Sequence, residues 1–286
     1  MKPFAAVTAA VCGAMVAAVL IGDAAAVELF DSTANRLGSQ RHPFQKGYHL
    51  FFDGVDDVAT VGDFAPVTVS TIEAWVRPLR RGVVTEDKVD DGTVVVTGGG
   101  PRAYCAVGAG LFAVKQSVCY ETDPAGCGND VEICVHFRED AEWMHLAGVY
   151  DGNKSRLYIN GTLIHESTGV PLDPGNWLTL GGYQFYNGYQ APYAGEMDEV
   201  RVWNVVRSQE EIRSAMSVSL IGKEKGLVAY YNFDEGKGKW FHNLAADRYH
   251  GYLGGMYPGT DGPKWVPSHT EDGSAGFDAD ESEIRY

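Results

Sequence analysis

Two closely spaced turn signals between residues 142 and 162 constrain the fold of this chain more than any other feature. The segment reads Glu-Trp-Met-His-Leu-Ala-Gly-Val-Tyr-Asp-Gly-Asn-Lys-Ser-Arg-Leu-Tyr-Ile-Asn-Gly-Thr. Apolar residues alternate along it, and the dipeptides Asp151-Gly152 and Asn160-Gly161 favour tight reversals between antiparallel strands. The pattern therefore predicts a meander of short strands, which is typical of an all-β sandwich.

The rest of the chain repeats this arrangement of short apolar runs between turn residues, with no alternation of strands and long helices. The runs predict further strands at residues 67–78, 93–98, 103–107, 111–116, 131–137, 177–183, 196–205, 226–233 and 249–253. Ser208 and Glu211 have the spacing of a capping box and predict one short amphipathic helix, Ser208–Met216. About a dozen short strands predict two antiparallel sheets packed as one sandwich.

The ends of the chain differ in composition from its middle. Residues 1–26 resemble an export signal, with Lys2, an apolar run and three alanines at residues 24–26, although an uncleaved membrane anchor is the alternative. We expect an N-terminal arm at 27–46, one folded domain at 47–266, and an acidic, disordered tail at 267–286. These features predict a secreted protein, at a cell surface or in a matrix, with no membrane insertion after cleavage.

The charge balance restricts the class of partner. The chain has 38 acidic and 23 basic residues, for a net charge of −15. This charge argues against nucleic acid as a partner, because phosphate backbones are bound by lysine and arginine.

Cysteines cluster in one part of the predicted mature chain: Cys105, Cys119, Cys127 and Cys134. An even number of cysteines in an exported chain predicts two structural disulfides. The alternative is a zinc site, but the paired C-x2-C spacing of such sites is missing. Three pairings are open, of which we favour Cys119 with Cys127 and Cys105 with Cys134.

Four segments together resemble the laminin-G-like family of concanavalin A-like jelly rolls, over about residues 47–266. They are Phe52–Val58 with Ile72–Pro78, Trp143–Gly152, Gly195–Asn204 followed by Arg207–Ile212, and Gly226–Gly236. The resemblance implies a jelly-roll sandwich and an extracellular recognition domain without catalytic activity that binds a glycan or glycoprotein. The alternative function is a structural or adhesive subunit that self-assembles outside the cell.

Acidic residues at a strand end suggest a calcium site. Asp53, Asp56 and Asp57 lie in a predicted turn, and Asp198 lies in a later strand. Calcium takes six to eight oxygen ligands, and carboxylates are among its preferred donors. In related sandwiches a calcium ion often joins the first and last strands, so the resemblance implies a site formed by these four aspartates.

A hydrolase is the less favoured reading of the same family. Laminarinase-type glycosidases share the sandwich and carry acidic residues at alternate positions of one strand, i, i+2 and i+4. Here Glu196 and Asp198 match the first two positions, but Val200 occupies the third and Glu199 is expected on the opposite face. The second catalytic carboxylate is therefore missing, and we predict no enzymatic activity.

An aromatic loop between two predicted strands is the candidate ligand site. Tyr186 and Tyr189 could stack on sugar rings, while Gln184 and Asn187 could bind hydroxyl groups. Asn153 and Asn160 begin glycosylation sequons in the two hairpin turns, although a plain turn role is the alternative for each.

Overall fold

The computed structural model describes most of the predicted domain. The described residues are 43–44, 46–62, 64, 70–78, 91–97, 108–114, 117–123, 131–136, 142–168, 178–185, 188–190, 193–255 and 262–268. The predicted signal at 1–26, the arm at 27–42 and the tail from 269 lie outside them. Within the described part, no helix has the length and apolar character needed to cross a membrane.

The described chain consists of short strands and one helix. The strands are β1 (Tyr48–Asp53), β2 (Ala59–Val61), β3 (Thr71–Pro78), β4 (Asp91–Thr97), β5 (Gly108–Val114), β6 (Ser117–Asp123), β7 (Val131–His136), β8 (Met144–Tyr150), β9 (Lys154–Ile159), β10 (Thr162–Thr168), β11 (Leu178–Leu180), β12 (Tyr183–Phe185), β13 (Gly188–Gln190), β14 (Ala194–Trp203), β15 (Leu227–Tyr231), β16 (Trp240–Phe241), β17 (Gly251–Leu253) and β18 (Lys264–Pro267). Helix α1 (Gln209–Ala215) lies between β14 and β15.

Two antiparallel sheets confirm the predicted sandwich. The first sheet has the order β10-β9-β8-β3-β14-β1-β18, and β15 also pairs with β14. The second has the order β16-β17-β2-β11-β4-β5-β6-β7. Strands β12 and β13 form a separate hairpin.

The two predicted turns of the meander are confirmed. Asn160 and Gly161 join β9 to β10 with φ angles of 49° and 69°, the positive values of a tight hairpin turn. Between β8 and β9, Asp151 Oδ1 accepts hydrogen bonds from the N–H groups of Asn153 and Lys154 at 2.9 and 2.8 Å. The local dipeptides therefore set the register of three neighbouring strands.

The main core lies between the sheets and takes residues from several of the described strands. In β3, for example, Ile72, Ala74 and Val76 are fully buried in this core. Burial of such side chains is the principal driving force for the sandwich, at roughly 25 cal/mol per Å² of apolar surface.

Helix α1 covers the other face of the first sheet. Ser208 accepts from Glu211 N at 3.2 Å, and Glu211 Oε2 accepts from Ser208 N at 2.8 Å, which confirms the capping box. Ile212 is buried and joins Ala147, Val149 and Tyr158 in a second apolar cluster. Strand β8 is consequently buried on both faces.

The cysteine-bearing region supplies half of the second sheet. Strands β4 and β7 confirm the predictions at 93–98 and 131–137, and β5 is displaced from the strand predicted at 111–116. The strand predicted at 103–107 lies outside the described residues. Strand β6 was not predicted, although Val118, Tyr120 and Thr122 alternate with other residues along it. Strands β4–β7 lie alongside β3, β8, β9 and β10 of the first sheet.

A bulge in β14 overturns the predicted orientation of Glu199. The register of β14 on β3 shifts between Asp198 and Arg201, and Glu199 has a positive φ of 54°. A bulge adds one residue to a strand, so the alternation of faces changes across it. Val200 enters the core, whereas Glu199 turns to the face of Arg201. The expectation that Glu199 points to the opposite face was therefore wrong.

The Glu199–Arg201 pair is buried beneath helix α1. Arg201 Nη2 lies 2.6 Å from Glu199 Oε2, and the two side chains are 0% and 3% exposed. Arg201 also donates to the carbonyls of Ala215 and Val218 at 2.9 and 2.8 Å. Its guanidinium therefore connects the sheet to the helix that covers it.

Two further ionisable groups lie against the same arginine. Glu73 Oε2 is 4.0 Å from Arg201 Nη1 and 3.2 Å from His145 Nε2, and Glu73 and His145 are both fully buried. Burial alone would raise the pKa of Glu73, but His145, Arg201 and Arg207 together lower it. Burial lowers the pKa of His145, and the opposing effect of Glu73 is smaller. His145 is therefore neutral in the folded protein at pH 7.

We expect Arg201→Met to lower the free energy of unfolding by about 3–5 kcal/mol, because it leaves buried carboxylates without their cation. Urea titrations at pH 7 measure the change. Arg248 is the control: it is exposed and lies 4.7 Å from the Tyr249 ring, so Arg248→Met should cost about 1 kcal/mol or less. Equal losses in the two variants would contradict the role of Arg201.

We also expect His145 to make stability sensitive to mild acid. Its folded pKa is below the ordinary 6.5, so the unfolded chain takes up the proton first as pH falls. The free energy of unfolding then falls with pH, by at most about 1.4 kcal/mol per pH unit. The lowered pKa of Glu73 acts in the same direction, but below its ordinary value of 4.5.

Urea titrations between pH 7.5 and 5 should therefore show a smaller loss of stability in His145→Gln than in the unmodified protein. The exposed His242 provides the control variant, His242→Gln, which should keep the original pH slope. An unchanged slope in His145→Gln would refute the assignment.

Candidate functional site

Three predicted metal ligands meet in one turn at the end of β1. Carboxylate oxygens of Asp53, Asp56 and Asp57 all lie within 4.8 Å of one another. Asp57 Oδ2 accepts from Asp53 N at 2.8 Å, and Asp53 Oδ1 accepts from Val55 N at 2.7 Å. We call residues 53–57 the aspartate turn; its backbone is held in place by its own carboxylates.

The donor set of the aspartate turn suits calcium. Oxygens bound to one calcium ion lie 2.3–2.6 Å from it, so two such oxygens can be separated by up to about 5 Å. The 4.8 Å spread of the three carboxylates falls within that limit. Asp53 is exposed and Asp56 is half-buried, which leaves the group accessible from solvent.

The fourth predicted ligand lies elsewhere. Leu50 pairs with Met197 and Asp53 with Ala194, so Asp198 lies beyond Met197, about four residues from Asp53 along the sheet. Four residues of strand span about 13 Å, too far for a shared ion. Asp198 is 2% exposed, and burial together with the neighbouring Glu199 raises its pKa well above the ordinary value. We leave Asp198 out of the metal proposal.

The predicted ligand-binding loop is a hairpin of β12 and β13. Gln184 and Tyr189 occupy opposite register positions of the two strands. Tyr186 and Asn187, which connect the strands, lie outside the described residues. Tyr193, in contrast, is 1% exposed and donates from its hydroxyl to Glu196 O at 2.9 Å, so it belongs to the core.

The base of this hairpin adjoins the aspartate turn. Tyr193 N donates to Gly181 O at 2.8 Å, which closes the hairpin segment. Gly181 has a φ of 80°, and a Cβ there would lie 2.1 Å from the Phe52 ring and 3.2 Å from Asp57 O. Only glycine allows this close approach, which joins the two sequence-predicted sites into one rim of the sandwich.

The carboxylates considered for glycoside hydrolysis are buried in β14. Arg77 binds both oxygens of Glu196, with Nη2 to Oε1 at 2.6 Å and Nε to Oε2 at 2.5 Å. Burial would raise the pKa of Glu196, but His49 and Arg77 lower it. Glu196 is 3% exposed and Val200 is fully buried in the core. At these two positions, β14 therefore carries a buried ion pair and an apolar side chain.

The remaining predicted sites are of two kinds. Asn153 is exposed in the β8–β9 turn. Asn160 is 8% exposed and its Oδ1 accepts from His145 N at 2.8 Å, so its amide side chain already holds the β8–β9 hairpin. Cys119 and Cys134 lie in β6 and β7, whereas Cys105 and Cys127 lie outside the described residues.

An exposed tryptophan that contacts a half-buried tyrosine near the rim was not predicted. Trp240 is 59% exposed, and its ring lies 5.3 Å from that of Tyr252, edge to face. Tyr252 pairs with Thr60, and Gly254 N donates a hydrogen bond to the carbonyl of Val58 at 2.7 Å. Both contacts lie just after the aspartate turn in the chain. The alternation of Trp240 with buried Phe241 could have indicated the exposed ring, but two residues are too few for a strand prediction.

The family model described as the concanavalin A-like lectin/glucanases superfamily, of the laminin G-like type, matches residues 53–213, more than half of the chain. The chain belongs to this family. The matched span contains the aspartate turn, the β12–β13 hairpin and most of helix α1, and it confirms the family resemblance found in the sequence.

This chain spans less than two thirds of the length of each of the next two known proteins that it resembles. Mouse pappalysin-1 is 31% identical over 107 residues, which are 35% of this chain and 6% of that protein. A solved structure of a carbohydrate-binding candidate from Bacteroides ovatus ATCC 8483 is 21% identical, with a TM-score of 0.54, over 77% of this chain and 62% of the other. The latter likeness shows a shared fold.

A heptameric SAP-like pentraxin from Limulus polyphemus is more distant. It is 14% identical with a TM-score of 0.47, over 59% of this chain and 82% of that one.

Proposed function

We propose that this domain binds a glycan or glycoprotein outside the cell, at the rim formed by the aspartate turn and the β12–β13 hairpin. The observation that carries the proposal is the contact at Gly181, which puts an accessible group of three carboxylates beside a hairpin rich in tyrosine and amide residues. Tyrosine rings and amides on a rigid support are suited to sugar rings and hydroxyl groups. The export-like residues 1–26 and the net charge of −15 suit an extracellular setting.

Calcium is the metal that we propose for the rim. Asp53, Asp56 and Asp57 would hold it, and the ion would neutralise three adjacent carboxylates that otherwise repel one another. It would supply positive charge beside the hairpin, where hydroxyl or carboxylate oxygens of a glycan could approach. In the protein itself, Gly181 packs closely against the aspartate turn, and Tyr193 N donates a hydrogen bond to Gly181 O. These contacts would hold the turn in place for the ion.

We further propose that the domain has no hydrolase activity. A retaining glycosidase needs two accessible carboxyl groups about 5 Å apart across the scissile bond. Glu196 is buried and bound by Arg77, and the bulge turns Glu199 towards Arg201. An assay for reducing ends released from laminarin, agarose and carrageenan tests this point, and a release above background would contradict it.

The calcium site predicts a measurable affinity. We expect chelator-treated protein to bind calcium in isothermal titration with a dissociation constant on the order of 0.1–1 mM, the range of extracellular modules. Asp56→Asn should weaken binding at least about tenfold, since it removes one charged ligand. Asp247→Asn is the matched control, because Asp247 is exposed and distant in sequence from the aspartate turn. Equal affinities for the two variants would contradict the site.

The hairpin predicts where the glycan binds. On a glycan array probed with residues 27–286, we expect binding in calcium that Tyr189→Ala reduces at least about tenfold, through loss of ring stacking. Trp240→Ala removes an exposed aromatic ring outside the hairpin and should keep most of the binding. A repeat in chelator then shows whether the metal takes part.

Two results would contradict this assignment. Loss of binding in Trp240→Ala with full binding in Tyr189→Ala would move the ligand to the outer face of the second sheet. No binding to any glycan, together with ordered oligomers in light scattering, would favour the structural or adhesive role.

A further inference from the structure

The pairing of strands β6 and β7 determines which cysteines are spatial neighbours. In the pairing of β6 with β7, Cys119 lies directly opposite Cys134. The register is continuous over six residue pairs, from Ser117 opposite His136 to Thr122 opposite Val131. A shift of one residue would move the two cysteines to opposite faces of the sheet, so this register is specific.

The backbone geometry of a directly opposed pair meets the requirement of a disulfide. Opposed residues in an antiparallel ladder have Cα atoms about 4.5 or 5.5 Å apart, depending on whether the pair is hydrogen-bonded. Disulfides join cysteines whose Cα atoms are about 4.4–6.8 Å apart. Both kinds of ladder position therefore permit the bond.

We propose that Cys119 and Cys134 form a cross-strand disulfide. If all four cysteines of the predicted mature chain are paired, Cys105 and Cys127 are the two that remain for a second bond. The pairing differs from the one favoured by sequence spacing alone, which closed the segment between Cys119 and Cys127. In that alternative, Cys119 and Cys134 would lie directly opposite each other in the ladder, yet each would be bonded to a cysteine that belongs to neither strand.

The bond forms by oxidation of the two thiols. Each thiol loses a proton and the pair together loses two electrons, one S–S bond forms, and a disulfide-bearing oxidant of the exporting compartment is reduced to two thiols. The product ties β7, the terminal strand of the second sheet, to its neighbour β6. An edge strand has pairing groups on one side only, so a covalent bond there limits fraying and slippage.

Peptide mapping without reduction distinguishes all three pairings. The protein is produced by export into an oxidising compartment, alkylated, and digested with trypsin and a glutamate-specific protease. Cleavage after Arg102, Lys115, Glu121, Glu132 and Arg138 places the four cysteines on separate fragments: 103–115, 116–121, 122–132 and 133–138. We expect mass spectrometry to find 116–121 linked to 133–138, and 103–115 linked to 122–132.

Any other linkage overturns the proposal, as does alkylation of Cys119 or Cys134 as a free thiol. Two double variants strengthen the test. Replacing Cys105 and Cys127 by serine should preserve the 116–121 to 133–138 link in full. Replacing Cys119 and Cys134 by serine should leave only the link from 103–115 to 122–132. Free thiols, or a link between two molecules, in the first variant would show that strands β6 and β7 do not specify the bond.

Discussion

The structure depends on how one buried arginine is accommodated in the central strand of the first sheet. Strand β14 pairs with β3, β1 and β15, so its distortion affects the whole sheet. The extra residue at Glu199 lets Val200 fill the core while Glu199 and Arg201 meet on the opposite face. A buried cation is costly unless opposite charges and hydrogen-bond acceptors surround it. The carbonyls of Ala215 and Val218 supply two such acceptors, so the helix and the segment after it help to hold the arginine.

Strand β14 carries buried charges in one part and supports the accessible aspartate turn with another. Its middle and C-terminal part carries buried charges beneath helix α1, whereas its first residues pair with β1 and hold Asp53 opposite Ala194. The aspartate turn therefore extends from a rigid sheet, and Gly181 fixes the hairpin beside it. A binding site positioned by two sheets loses little conformational freedom when a ligand binds, which favours affinity.

Much of the fold could be predicted because its signals are local. The Asn160-Gly161 turn and the Ser208 capping box each depend on a few adjacent residues, and both are confirmed. The bulge could not be predicted, because the run from Gly195 to Trp203 alternates well enough to suggest a regular strand. Strand β6 was missed because its short apolar positions alternate with Cys119 and Glu121, which resemble part of a polar loop.

The candidate site also depends on strand register, which the sequence alone did not reveal. Residue type was enough to select Asp53, Asp56, Asp57 and Asp198 as oxygen donors, but register decides which donors can share an ion. Because β1 and β14 run antiparallel from Asp53 opposite Ala194, Asp198 falls near the middle of the sheet, where burial raises its pKa. Glu196 likewise lies within β14, where its carboxylate binds Arg77. Carboxylates inside the sheet are buried, whereas those of the aspartate turn form a solvent-accessible group of three, close enough together to share an ion, in the described part of the chain.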